Sequence, residues 1–228
     1  MNFKKITLYR EPAISEINIE SLVIFLRKNF PIDVEIKDNV FKEFSLENVK
    51  KLSNIRVTDI KSSFSEHKSS DVEIEFERKL CEDSSLMNST TKVENARQIN
   101  EVFMYDGFEL QKILRYLNED NETLHIILTN RLTCTFDEND SRYHGRAVIC
   151  ANPSIISTTG IIEAPAKPKE YYFEVMKLKA QGLDIKSAKE KYKGKFLEYN
   201  DKRLTKILEG YILQVIFYNI TGESFCKN

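Results

Sequence analysis

The sequence predicts a mixed α/β (α+β) fold, and three observations predict it. Residues near the start read strand, helix, strand; a strongly apolar strand, LHIILTN, lies mid-chain; and the last long segment is a helix with almost no polar side. KITLY (Lys5–Tyr9) alternates apolar and polar residues with the period of a strand. INIESLVIFLRKNF (Ile17–Phe30) repeats apolar residues at helical spacing until Pro31 stops it, and IDVEIKD alternates again. A strand, a helix and a second strand in succession favour a sheet with helices laid on it.

A short helix follows at Leu46–Leu52, and DVEIEFERKL, after a polar loop, reads as a strand of period two with an acidic face. Residues 82–95, EDSSLMNSTTKVEN, have no period and read as a polar surface loop. FELQKILRYL (Phe108–Leu117) is helical, LHIILTN is a strand buried on both faces, and RAVIC (Arg146–Cys150) is another strand. KEYYFEVMKLKAQG ends as a helix at Gly182, and DIKSAKEKYKG as a short basic helix at Gly194. The last helix takes Asn200 or Asp201 as its N-cap and runs to about Asn219, with Gly222 just beyond. Its YILQVIFY stretch is apolar on all sides except Gln214, which predicts central burial.

A chain of 228 residues, 41% of them hydrophobic, can bury one substantial core, so a single domain over 1–228 is expected. The net charge of -1 gives no wholesale affinity for nucleic acid or membranes. It is unevenly spread: residues 164–207 hold twelve Lys/Arg against six Asp/Glu, which leaves -7 on the rest. Those basic helices carry no RNA-binding motif, which argues against nucleic acid as a partner. No apolar run approaches the roughly 20 residues that span a bilayer, so no membrane partner is expected. The four cysteines are widely spaced and no secretory leader precedes them, so a reducing, cytoplasmic setting is expected.

The densest set of reactive side chains lies in DENDSRYHGRAVICANPSIISTTGIIEAPAKPKEYY. It contains Asp140, Arg142, Tyr143, His144, Cys150, Ser157 and Glu163. Imidazole and carboxylate serve zinc and proton transfer alike, which makes His144 and Glu163 candidates for ligand or acid/base. A solvated histidine and a solvated glutamate are the simpler account. ISTTG lacks the pattern of a phosphate-binding loop, and no nucleophile elbow surrounds Ser157, so both read as a Ser/Thr strand and turn. APAKP imposes an extended segment that could line a cleft with Lys167.

Three blocks, LTNRL (Leu128–Leu132), RYHGRAVICANPSIISTTGIIEAPAKPKEYY and GYILQVIFYNITGESFC, closely resemble an archaeal family of metallopeptidases related to the archaemetzincins. The resemblance implies a zincin-like fold, a twisted mixed sheet with a central helix bearing zinc ligands, and the buried last helix of this chain is the segment that matches it. In archaemetzincins that helix and its exit read HExxHxxGxxHC. With the motif's glycine on Gly222, its first histidine falls on Val215, its glutamate on Ile216, its second histidine on Asn219, its third on Phe225 and its cysteine on Cys226. Only Gly and Cys remain, so the zinc motif is degenerate. Val and Ile can neither bind zinc nor move a proton.

Two readings follow. One is a binding or interaction protein with a peptide or protein partner, which has lost peptidase chemistry. The other is a zinc-dependent hydrolase or peptidase with a non-standard site. In that case His144, Cys226 and His125 would be the metal ligands, Glu163 the general base, and Arg142 or Lys167 would steady a developing oxyanion. Zinc is the cofactor the resemblance implies.

Overall fold

The computed structural model describes residues 3–11, 17–83, 103–120 and 122–223; the polar loop expected at 82–95 lies, beyond its first two residues, outside them. In chain order come β1 (Lys5–Arg10), α1 (Ile19–Asn29), β2 (Asp33–Lys37), α2 (Leu46–Asn54), α3 (Asp71–Glu82), β3 (Met104–Asp106) and α4 (Gly107–Leu114). Then follow β4 (Thr123–Thr129), β5 (Leu132–Asp137), β6 (Arg142–Arg146), β7 (Val148–Ile149), β8 (Ser154–Ser157), α5 (Thr158–Glu163), α6 (Lys169–Ala180), α7 (Lys186–Lys191) and α8 (Leu204–Thr221).

The first three elements form the expected unit: β1 and β2 are parallel, Ile6 beside Val34, with α1 crossing between them. The larger sheet has the order β2-β1-β4-β8-β7. Its first four strands run parallel and β7 pairs antiparallel at the edge, so the sheet is mixed. β4 lies at the centre and all seven of its residues are buried, as the LHIILTN run predicts. A smaller sheet has the order β3-β5-β6.

The two faces of the large sheet bury separate cores. Ile6, Leu8, Leu124, Ile126, Leu128 and Ile156 pack against α1 and α8 through residues such as Leu22, Leu26, Leu208 and Ile212. Tyr9, Ile127 and Ile155 face Val49 and Leu52 of α2, Leu110 and Leu114 of α4, and Tyr105 of the small sheet. Helix α8 therefore lies on one sheet face rather than at the centre of the molecule. Leu208, Ile212, Val215 and Ile216 are buried, whereas Leu213 and Ile220 on its outer side are exposed. Gly222 closes α8 in the left-handed conformation at φ 75°, which only glycine adopts without strain.

Several elements differ from the sequence expectation, among them α8, which starts at Leu204 with Arg203 at its N-cap position and no side-chain cap rather than from Asn200 or Asp201. DVEIEFERKL is not a strand but most of α3. Ser70 and Glu73 form a reciprocal capping box, with the Ser70 amide donating to the Glu73 carboxylate at 2.8 Å. The same residues that alternate also repeat at helical spacing, and Glu77, Leu80 and Cys81 turn inward. Ser70→Ala should therefore cost about 1 kcal/mol, read as a lower urea midpoint at unchanged slope. RAVIC is divided, with Arg146 closing β6 and Val148–Ile149 forming β7, because the chain passes at Ala147 from one sheet to the other.

Cys81 and Cys134 are buried, and burial pushes each thiol up to about 12. Among the described residues, no helix is long and apolar enough to cross a membrane.

Candidate metal centre

β5 and β6 form an antiparallel hairpin in which Thr135 lies opposite His144, Phe136 opposite Tyr143, and Asp137 opposite Arg142. Alternation sorts the side chains of RYHGR onto two faces. The inward face anchors the hairpin: the Tyr143 hydroxyl donates to Asp106 at 2.8 Å, Phe136 packs edge-on against Tyr143, and Gly145 lies against Ala164. The other face carries Asp137, Arg142, His144 and Arg146, with Arg146 Nε donating to Thr135 Oγ1 at 2.7 Å.

The turn between the strands brings Asp140 to that second face. Asp137 accepts from the Asn139 amide at 3.0 Å and from the Asn139 side chain at 2.8 Å, which is the local closure typical of aspartate at a turn. Ser141 takes a positive φ of 52°, and Asp140 Oδ2 then sits 2.7 Å from His144 Nε2. Asp137, Asp140 and His144 each offer one ligand atom, and these atoms all lie within 4.8 Å of one another.

The face carries charge of both signs: Asp137 and Asp140 would attract a cation, and Arg142 and Arg146 oppose it. The two Asn139 bonds hold the Asp137 carboxyl below its ordinary range, with a smaller contribution from nearby His144 and Arg146. Two carboxylates and an imidazole are an appropriate donor set for zinc. Ligand atoms about 2.1 Å from a tetrahedral ion lie about 3.4 Å apart, so to share a zinc the group, whose atoms lie within 4.8 Å of one another, would have to close up and exchange the Asp140–His144 hydrogen bond for bonds to the metal. His144 is 38% exposed and Asp140 47%, which leaves room on the solvent side for water or a partner's ligand.

The other residues singled out in the sequence are dispersed. Arg142 is exposed at the start of β6, on the same face as His144. Glu163 ends α5, exposed, and hydrogen-bonds Tyr199. Lys167 lies over the Tyr171 and Phe196 rings, at 5.6 and 5.1 Å from their centroids. Cys226 lies outside the described residues. His125 belongs to the other sheet, beside Thr7 of β1, so the structure does not bring it into one ligand group with His144. The Ser/Thr segment is a strand as expected through Ser157 but continues as helix α5 rather than as a turn; Ser157, Thr158 and Thr159 donate to the carbonyls of Arg131, Thr129 and Asn130, and Ser157 caps α5.

His125 instead has a structural setting. Its Nδ1 lies 3.1 Å from the Tyr9 hydroxyl, and its buried Nε2 has no partner. Burial lowers its pKa below the ordinary 6.5, against the pull of Asp120 and Glu35 and with the push of Lys37 and Lys5. The folded chain thus disfavours the charged ring. The stability from neutral His125 is complete above pH 6.5 and is lost as pH falls toward the lowered folded value. His125→Gln should flatten the decline in urea midpoint below pH 6.5, and an unchanged decline would exclude His125 as its source.

Asp137 is the member of the metal group that the sequence reading passed over. Its signal is the spacing of Asp137, Asp140 and His144 around a polar turn, which becomes a cluster only if the flanking segments pair as a hairpin.

No curated protein and no solved structure matches the chain. Residues 2–228 match the family described as the probable metallopeptidase family (DUF6775), and the chain belongs to that family.

Proposed function

We propose that this protein is a zinc-binding member of its metallopeptidase family, with the ion held by Asp137, Asp140 and His144, and that it works as a binding or interaction protein rather than a peptidase. The convergence of those three ligand atoms carries the reading. A bound zinc would draw the two carboxylates and the imidazole together and could fasten a partner's peptide through its open positions.

The archaemetzincin-like part of the proposal, including the degenerate helix motif, draws support from α8. Val215 and Ile216 sit in the apolar core, where a ligand or a base would have to face the sheet rather than a cleft. Asn219 is committed to the carbonyls of Ala151 at 3.2 Å and Val215 at 2.9 Å. The fold agrees with a zincin-like plan in having a mixed sheet with its last helix on one face.

The family description favours a second reading, a zinc-dependent hydrolase or peptidase centred on the same hairpin. Arg142 is well placed for it, on the face of His144. Glu163 would first have to leave Tyr199, and Lys167 its two aromatic rings. Hydrolysis of unstructured peptides by the zinc-loaded chain separates the two. Turnover at background supports the interaction protein, whereas zinc-dependent turnover lost in both His144→Ala and Glu163→Gln establishes the hydrolase.

A further inference from the structure

Helices α6 and α7 stand on a small core of their own. Tyr171, Val175 and Leu178 of α6 pack against Ala188, Tyr192 and Phe196, separate from the two cores of the large sheet. That contact occupies one side of α6. On the other side Tyr172, Phe173 and Met176 are exposed, Phe173 by 69% and Met176 by 66%. Their i, i+1, i+4 spacing sets them in one stripe, which Leu183, also exposed, continues just past the helix end. Large apolar side chains grouped in this way mark a docking surface, unlike the same residues scattered singly.

The charge around the stripe identifies what covers it. Lys177 and Lys179 fall on its two flanks by helical geometry, Lys169 lies at its start, and Lys186, Lys189 and Lys193 follow, all exposed. Residues 164–207 carry twelve Lys/Arg against six Asp/Glu in a protein of net charge -1. A second copy presenting the same patch would meet like charge. One side of α6 is taken up by its own small core, so it offers a partner a single face. A flat, negatively charged surface accepts a single exposed face.

We propose that α6 and α7 dock the protein on an anionic lipid bilayer, with Tyr172, Phe173 and Met176 entering the interface and the flanking lysines meeting the headgroups. Long lysine side chains reach headgroups while their stems cover apolar surface. The sequence expectation of no membrane partner rested on the overall net charge and on the lack of a spanning segment, and peripheral docking through a local basic face requires neither a charged whole nor a span. The proposal is independent of the metal centre.

Sedimentation of the full chain with vesicles tests it. Vesicles of phosphatidylcholine mixed with phosphatidylglycerol should bind the chain about ten-fold or more better than phosphatidylcholine alone, and salt should weaken the binding. Phe173→Ser with Met176→Ser, and separately Lys177→Glu with Lys179→Glu, should each lower binding by about ten-fold while the far-ultraviolet circular dichroism stays unchanged. A chain that remains in the supernatant with anionic vesicles overturns the proposal. So does binding indifferent to both double variants, or a dimer in solution that Phe173→Ser with Met176→Ser abolishes, since that assigns the stripe to a second copy.

Discussion

Arg131→Met is expected to destabilise the fold by about 3–5 kcal/mol. Arg131 is fully buried and pairs with two buried carboxylates, Glu11 at the end of β1 and Glu77 on α3, the latter at 3.3 Å. Glu77 also pairs with Arg56 and accepts from the Tyr105 hydroxyl at 3.0 Å, and the Arg131 guanidinium lies 4.0 Å from the Phe41 ring centroid. Four segments distant in sequence thus meet in one ionic network beneath the small sheet. Methionine nearly conserves the volume, so the loss is electrostatic. Glu77 keeps Arg56, whereas among the described residues Glu11 retains the Thr129 hydroxyl and the Asn130 amide, at 2.7 and 2.9 Å. Adding Glu11→Gln to Arg131→Met should therefore restore part of the stability, because it removes the buried charge left unpaired. Urea unfolding of the two single variants and the double variant measures this, and strictly additive losses would show that the pair does not act as a unit.

Gly160→Ala is expected to cost about 3 kcal/mol. Gly160 lies in the first turn of α5, directly against the end of β6, and an added Cβ would run into the Arg146 carbonyl, whose carbon would be 2.8 Å away. A backbone group cannot rotate aside, so α5 and β6 must separate. The Ser157 bond to the Gly160 amide, at 2.8 Å, fixes the same turn and resists that movement. Gly182→Ala is the matched comparison. Nothing lies near its Cβ position, and only its φ of 69° opposes a side chain, so about 1 kcal/mol is expected. Equal losses at the two glycines would contradict the close approach of α5 to β6.

The parts of the fold legible in the sequence are those that a single period defines. β1, α1 and β2 each carry one clear repeat, and β4 is apolar throughout because both its faces are covered. α3 resembles a strand in sequence because VEIEF satisfies both periods, and the Ser70–Glu73 capping box, rather than the hydrophobic pattern, marks it as a helix. The YILQVIFY stretch of α8 is apolar on all sides except Gln214, yet its Leu213 side faces outward, since one helix face suffices to cover a sheet. The ionic network is invisible in the chain: Glu11, Arg56, Glu77 and Arg131 share no spacing, and only the tertiary fold joins them. The metal group stands between these extremes. Asp137, Asp140 and His144 all lie in the block rich in reactive side chains, and what the sequence does not show is that hairpin register and a turn closed by the Asp137 side chain bring the three together.

The zinc content of the full chain, purified without chelator and measured beside Asp137→Asn and His144→Ala, tests the central claim most directly. The expected result is one zinc per chain in the unaltered protein and at least about a ten-fold weaker affinity in each variant, with unfolding midpoints measured in excess chelator unchanged by either substitution. Stoichiometric zinc that survives both substitutions, or no zinc in the unaltered chain, would contradict it.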